Sequence, residues 1–163
     1  MRLGISLPID TGDERVGNVI ARGARDAERY GFDSVWFFDS IGRGSMSIDP
    51  LIGVSVAASV TNNIEVGIGI LQVPIRHPVE LAQRVLSAQL LCEGRLLLGV
   101  GSGSTKGDFE AVGKSFDDRM ILLRSGLSTM RQLWNGETVG GVNLAPVASV
   151  RGGPPIVVGS WAG

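Results

Sequence analysis

A parallel α/β fold, either a βα barrel or a doubly wound sheet, is predicted by three observations. Four short apolar runs begin at Leu3, Ser34, Glu65 and Leu96, at intervals of 31 residues. Amphipathic stretches of helical period fill the gaps between them. The runs are mostly apolar rather than alternating, which suits strands covered on both faces of a parallel sheet. Repetition of a strand–helix unit at fixed spacing marks a fold assembled from βα units.

The strands fall at 3–7 (LGISL), 34–39 (SVWFFD), 65–70 (EVGIGI) and 96–101 (LLLGVG). The first helix is expected over 16–30, where Val16, Val19, Ile20, Gly23, Ala24 and Ala27 share one stripe. Arg22, Arg25 and Glu28 lie largely outside that stripe, and Gly31 supplies a stop. Asp49 followed by Pro50 is a cap and first-turn pair for a second helix over 50–60. Pro78 opens the third helix, over 79–91, with Glu80 near the positive end of its dipole. A fourth helix over 118–134 keeps Leu122, Leu123, Leu127, Met130 and Leu133 on its apolar side. A fifth apolar run, 155–160, arrives nearly two periods after the fourth. The excess lies in a glycine-rich loop, 102–116, and in 136–153, read as an excursion with a hairpin around 137–144.

Composition narrows the function. A chain of 163 residues with 44% hydrophobic side chains is expected to be one domain, 1–163, with a real core. Its 15 Lys+Arg against 16 Asp+Glu leave a net charge of −1, which argues against nucleic-acid or membrane-surface binding. The single cysteine, Cys92, cannot form an internal disulfide, so a cytoplasmic location is expected. One histidine, His77, excludes a multi-histidine metal site, and no metal is expected. The opening MRLGISLPIDTGDER has no basic segment followed by a long apolar run, so no signal peptide is read. No stretch reaches about 18 unbroken apolar residues, so no membrane span is expected. Pro8–Ile9–Asp10–Thr11–Gly12 lacks the glycine fingerprint that a doubly wound nucleotide binder needs after its first strand.

An ordered set of motifs then becomes recognisable: PIRHPVELAQ (74–83), EGRLLLGVGSG (93–103), DFEAVG (108–113), FDDR (116–119), RQLWNGETV (131–139) and GGPPIVVGSWAG (152–163). Together they resemble the luciferase-like monooxygenase family, barrel enzymes that use reduced flavin or a deazaflavin coenzyme. The resemblance implies part of a TIM (β/α)8-type barrel, with parallel strands one to five and four helices. Complete barrels of this type run to roughly 250 residues, so the chain reads as an N-terminal, truncated portion. Strands one and five would then have open edges, and self-association to a homo-oligomer is expected.

The resemblance also implies a function and a site. The function is flavin-dependent oxidoreductase or monooxygenase chemistry on a small organic substrate, with reduced FMN or the deazaflavin coenzyme F420. The alternative is a non-catalytic half-barrel that pairs with itself or with another half. In such barrels the sites lie at the carboxyl ends of the strands. Asp39 stands where the family carries an acidic residue, although it reads equally well as a loop cap. The following position is Ser40, where the family often has His. At Gly69, Ile70, Leu71 and Gln72 the deazaflavin relatives place a bulge with a non-prolyl cis peptide behind the ring; carried over, that bond is Gly69–Ile70. Ordinary strand glycines for helix packing are the other reading. Ser102 and Gly103 fit the end of strand four, where small residues let a flat ring approach the backbone. Asp108 matches an acidic position beyond that loop, while Ser104 replaces a common Trp. His77, in Arg76–His77–Pro78, is the weak candidate for catalysis and reads more readily as a hydrogen-bonder at the barrel rim.

The run 99–106 does not make a phosphate loop, because Lys106 is followed by Gly107 rather than Ser or Thr, and GxGxxG is broken at Ser104. Arg119 is expected to order its loop by pairing with an acidic neighbour. Trp36, Phe37 and Phe38 are expected to fill the core and barrel, and Trp134 to pack below it. Cys92 reads as a buried, inert thiol. The loops that hold the cofactor phosphate in the family correspond to positions beyond 163. Weak binding of reduced flavin is therefore the expectation for this chain.

Overall fold

The computed structural model describes residues 1–7, 15–41, 44 and 46–159. The end of the fifth run, at Ser160, lies outside the described residues. Five strands form one sheet: β1 (Gly4–Ser6), β2 (Ser34–Phe37), β3 (Glu65–Gln72), β4 (Leu96–Gly101) and β5 (Ile156–Val158). Every pairing is parallel, and the order in space, β1-β2-β3-β4-β5, is the order in the chain. A doubly wound sheet would reverse direction in the middle. This sheet does not, so its order is that of a barrel wall.

The register follows the sequence period: Gly4 pairs with Ser34, Ser34 with Glu65, and Val66 with Leu96. Pairing of β3 with β4 slips between Ile68 and Leu71, because Ile68 faces Leu98 while Leu71 faces Val100. Gly69 and Ile70 are the bulged residues, and the peptide between them is cis. The bulge brings the Ile68 carbonyl so close to β4 that a Cβ on Gly99 would lie 2.2 Å from its oxygen. Only glycine fits opposite it.

The helices are α1 (Val16–Arg29), α2 (Pro50–Ala58), α3 (Pro78–Leu91), α4 (Lys106–Ala111) and α5 (Arg119–Trp134). Four helices are expected from the sequence, and five are present among the described residues. The additional one, α4, lies inside the stretch read as a glycine-rich loop. Its six residues are too few to show a helical stripe, and it is fixed by the wholly buried Phe109. The local capping features match the sequence reading. Asp49 Oδ1 accepts from Leu51 N at 2.9 Å at the start of α2. Gly31, at φ +80°, closes α1 with Phe32 N donating to Ala27 O at 3.0 Å.

Strand residues Val35, Val66, Ile68, Leu98 and Val100 pack against Ala24, Val54, Leu81 and Val85 of the helices in one buried apolar cluster. Trp134 is part of that cluster, and its Nε1 donates to Ala82 O at 3.1 Å. The backbone of Gly153 lies against the Trp134 indole. The expected hairpin is a tight turn: Val139 and Val142 exchange backbone hydrogen bonds of 2.9 and 3.0 Å across Gly140 and Gly141, both at positive φ. Among the described residues, no helix is long and apolar enough to cross a membrane, and no group of His, Cys, Asp or Glu could hold a metal ion.

Candidate functional site

A cavity of about 700 Å³ opens at the carboxyl ends of the strands. Its near wall comes from the ends of β2, β3 and β4: Phe38, Asp39, Gly69, Ile70, Gln72, Ser102 and Gly103. The far wall comes from Ser104, Phe116, the first turns of α5 (Arg119, Met120 and Leu123), and Val158 with Gly159 beyond β5. Six of the eight residues expected to contact a cofactor therefore meet in one cavity. The other two stand behind it. Leu71 is wholly buried in the core, pointing away as strand alternation requires. Asp108 is also buried, and its Oδ2 accepts from the Gln72 amide.

The near wall is held by a polar chain running across three elements. Arg76 grips Asp39 with both arms, Nη1 to Oδ2 at 2.5 Å and Nη2 to Oδ1 at 2.8 Å. Asp39 Oδ2 also accepts from Gln72 N at 2.8 Å. The Gln72 amide then donates from Nε2 to Asp39 O at 3.3 Å and to Asp108 Oδ2 at 3.0 Å. Both Asp39 oxygens are thus engaged by neighbours, and its side chain is only 2% exposed. The carboxylate thereby ties the end of β2 to the end of β3. Lys114 fastens the next layer, with Nζ donating to Pro74 O at 2.7 Å and Arg76 O at 2.8 Å. Burial lowers the pKa of that ammonium.

Glycines make the near wall shallow. A Cβ on Gly101 would meet Ile70 Cδ1 at 2.5 Å, and one on Gly159 would meet Ile70 Cγ2 at 2.5 Å. The Ile70 side chain therefore lies across β4 and the segment after β5 as a flat apolar shelf. Gly103, at φ +78°, would place a Cβ 2.6 Å from Gln72 Oε1. That oxygen is buried and has no hydrogen-bond partner among the described residues. A shelf bordered by glycines, serines and an amide oxygen fits a flat heteroaromatic ring with polar edges.

One candidate lies apart from the cavity, and two further expectations are corrected. His77 is exposed at the N-cap of α3, where its side chain makes no capping bond, and it is not among the residues around the cavity. Phe38 is 55% exposed and lines the cavity instead of filling the core, because β2 ends at Phe37 and the chain turns outward. Arg119 has no acidic partner among the described residues. It stacks on Phe116, with Cζ 4.1 Å from the ring centroid, and Nη1 donates to Phe116 O at 3.1 Å. Ser40, in place of the family's His, exchanges contacts with Ser47 and stays outside the cavity. Cys92 matches its reading: it is buried, and burial pushes the thiol pKa up to about 11.

The residues that sequence reasoning missed are Phe116, Met120, Leu123, Val158 and Gly159, with Phe38 and Arg119 misassigned. A signal for Phe116 and Arg119 was present in FDDR, a four-residue turn into α5 in which Arg119 N donates to Phe116 O at 3.2 Å and brings the guanidinium back over the ring.

A cavity at the carboxyl ends of a chain-ordered parallel wall is the arrangement of βα-barrel proteins. The chain belongs to the luciferase-like monooxygenase family, whose family model matches residues 1–160. It is 31% identical over 121 residues to an F420-dependent glucose-6-phosphate dehydrogenase of Amycolatopsis mediterranei, covering 69% of this chain and 36% of that protein. The monooxygenase RslO1 of Streptomyces bottropensis superposes with a TM-score of 0.82 at 25% identity, covering 97% of this chain and 53% of that one. The oxygenating constituent of 3,6-diketocamphane monooxygenase of Pseudomonas putida, solved in complex with FMN, gives a TM-score of 0.79 at 21% identity, with 97% and 51% coverage. The chain thus spans about a third to a half of the length of these relatives.

Proposed function

We propose that the chain forms the cofactor-side wall of a flavin- or deazaflavin-dependent oxidoreductase or monooxygenase acting on a small organic substrate. The observation that carries this reading is the shelf made by Gly69 and Ile70 beneath a cavity walled by Ser102, Gly103 and Gln72. The names of the relatives support reduced FMN or F420 as the cofactor. When bound, the reduced ring supplies the electrons; the protein positions it, keeps water out and sets the local field. Ile70 would support one face of the ring, and Ser102 and Gly103 would leave room for its edge. Asp39, clamped by Arg76, would hold the Gln72 backbone and amide in place.

The test is titration of the protein with FMN and with F420, followed by fluorescence quenching. Saturable binding that is lost in Ser102→Trp, with the wild-type circular dichroism retained, supports the reading. Absence of saturation by either cofactor, or binding unchanged in S102W, overturns it.

Self-association belongs to the same proposal. Among the described residues, β1 and β5 are the two edges of the sheet, each paired on one side, and open edges are prone to pairing with another chain. A second copy of the chain is proposed to cover these edges, and sedimentation at several concentrations checks this. A wild-type protein that stays monomeric at all concentrations would refute it.

A further inference from the structure

Gln72 ends β3 with its side-chain amide inside the near wall, and the residue is only 2% exposed. Its neighbours settle which way that amide faces. Nε2 donates to Asp108 Oδ2 at 3.0 Å and to Asp39 O at 3.3 Å, a carboxylate and a carbonyl that both accept. Turned over, the amide would set oxygen against oxygen at both contacts. Oε1 therefore stays on the opposite side, buried and without a hydrogen-bond partner among the described residues. Buried acceptors are almost always paired, so one left alone beside a cavity marks a place where a bound molecule donates. Gln72 and Gly103 both line the cavity, and a Cβ on Gly103 would stand 2.6 Å from Oε1. At this point the cover over the oxygen is glycine backbone. The flanking serines do not tie that cover down among the described residues: Ser102 Oγ reaches only Gly103 O, at 3.5 Å, and the Ser104 side chain makes no hydrogen bond.

We propose that Gln72 is the donor-reading residue of the cavity: with Gly103 shifted outward, its Oε1 accepts a hydrogen bond from the bound molecule, either from a ring N–H of the cofactor or from a hydroxyl of the substrate. The proposal rests on the reading of the cavity as the ligand pocket. It goes beyond that reading by fixing the polarity of one contact, so that a ligand presenting an acceptor or a methyl group there is disfavoured. Asp108 and Asp39 hold the amide in this sense before any ligand arrives. A site built around such an acceptor rejects an analogue that lacks the donor, because the oxygen then stays buried and unpaired.

The experiment measures dissociation constants on the full 163-residue protein for two matched pairs: FMN against 3-methyl-FMN, and phenol against anisole. In at least one pair the member that carries the donor is expected to bind about tenfold tighter, the size of one hydrogen bond. Gln72→Met, which keeps the length of the side chain and removes the acceptor, should bring that ratio to about one. Gly103→Ala should do the same, since its methyl would stand against Oε1 and shut off the approach. Preference for FMN assigns the donor to the cofactor; preference for phenol assigns it to the substrate. No preference in either pair, or a preference that survives Q72M, overturns the proposal. Q72M also takes the amide donor from Asp108. If that variant loses the wild-type circular dichroism, G103A carries the test, and an unchanged ratio in G103A overturns the proposal. FMN and 3-methyl-FMN binding equally well, with no phenol preference, sinks the role of Gln72 and leaves the cofactor reading standing. A phenol preference lost in Q72M, with neither flavin binding, does the reverse.

Discussion

Replacing Arg76 by Met tests the architecture of the near wall most directly. The wild-type side chain neutralises a carboxylate that is 2% exposed and supplies two of the three hydrogen bonds that Asp39 accepts at its oxygens. In Arg76→Met that charge keeps only the Gln72 backbone N–H. Removing one partner of a buried pair costs about 3–5 kcal/mol, because the remaining charge is left uncompensated. For a chain of this size each kcal/mol moves the melting temperature by about 2–4 °C, so a fall of about 6–20 °C is expected. Thermal unfolding followed by circular dichroism reads the change. The double variant Asp39→Asn with Arg76→Met removes the stranded charge and should melt above R76M alone, which a double-mutant cycle quantifies. A loss below about 1 kcal/mol in R76M, or a double variant no better than the single, would refute the reasoning.

Other expectations follow from single contacts. Glu28 Oε1 accepts the backbone N–H groups of Asn62, Asn63 and Ile64, at 3.0, 2.6 and 3.0 Å, and ties α1 to the turn before β3. Burial alone would raise its pKa, but those donors and nearby Arg95 outweigh it and hold the group below its ordinary 4.5. The resulting stability is present above that value and is lost as pH falls through the lower, folded one. Glu28→Gln should therefore cost about 1 kcal/mol at neutral pH, after allowance for solvent screening. In urea titrations at several pH values its deficit should vanish in acid. Gly153→Ala would place a methyl 2.2 Å from Trp134 Cε3 at φ +77° and should cost about 1–3 kcal/mol by overpacking, with α5 losing hydrogen-exchange protection first. The Cys92 thiol, buried and with its pKa near 11, should resist Ellman's reagent at pH 8 in the native protein and react at once in denaturant.

How much of this was legible beforehand depends on the range of the interaction. Strand positions and direction were readable because a parallel strand buried on both faces must be apolar along its length, as LLLGVG is, and because its repeat is set by the crossover helix. The starts of α2 and α3 were readable through Asp49–Pro50 and Pro78, since capping is local chemistry. The short helix α4 was not, because one buried phenylalanine fixes six residues through a tertiary contact that leaves no period. In the site, the glycines and serines were legible as space left beside a backbone. The partner of Asp39 was not, for Arg76 lies 37 positions away on another loop and any of several arginines would have served on sequence grounds. Arg119 shows the converse: acidic neighbours in the sequence, Asp117 and Asp118, suggested a pairing that the helix start directs elsewhere.

The lysine that fastens the corner after α4 has a mechanical consequence. Its ammonium grips two carbonyls of the segment after β3, so the loop after α4 is stitched to the crossover that begins α3. The entrance is then free to widen at its other rim, where the last strand ends in exposed valines. Changes on the β5 side would therefore alter the width of the cavity, while the stitched corner keeps its own side in place.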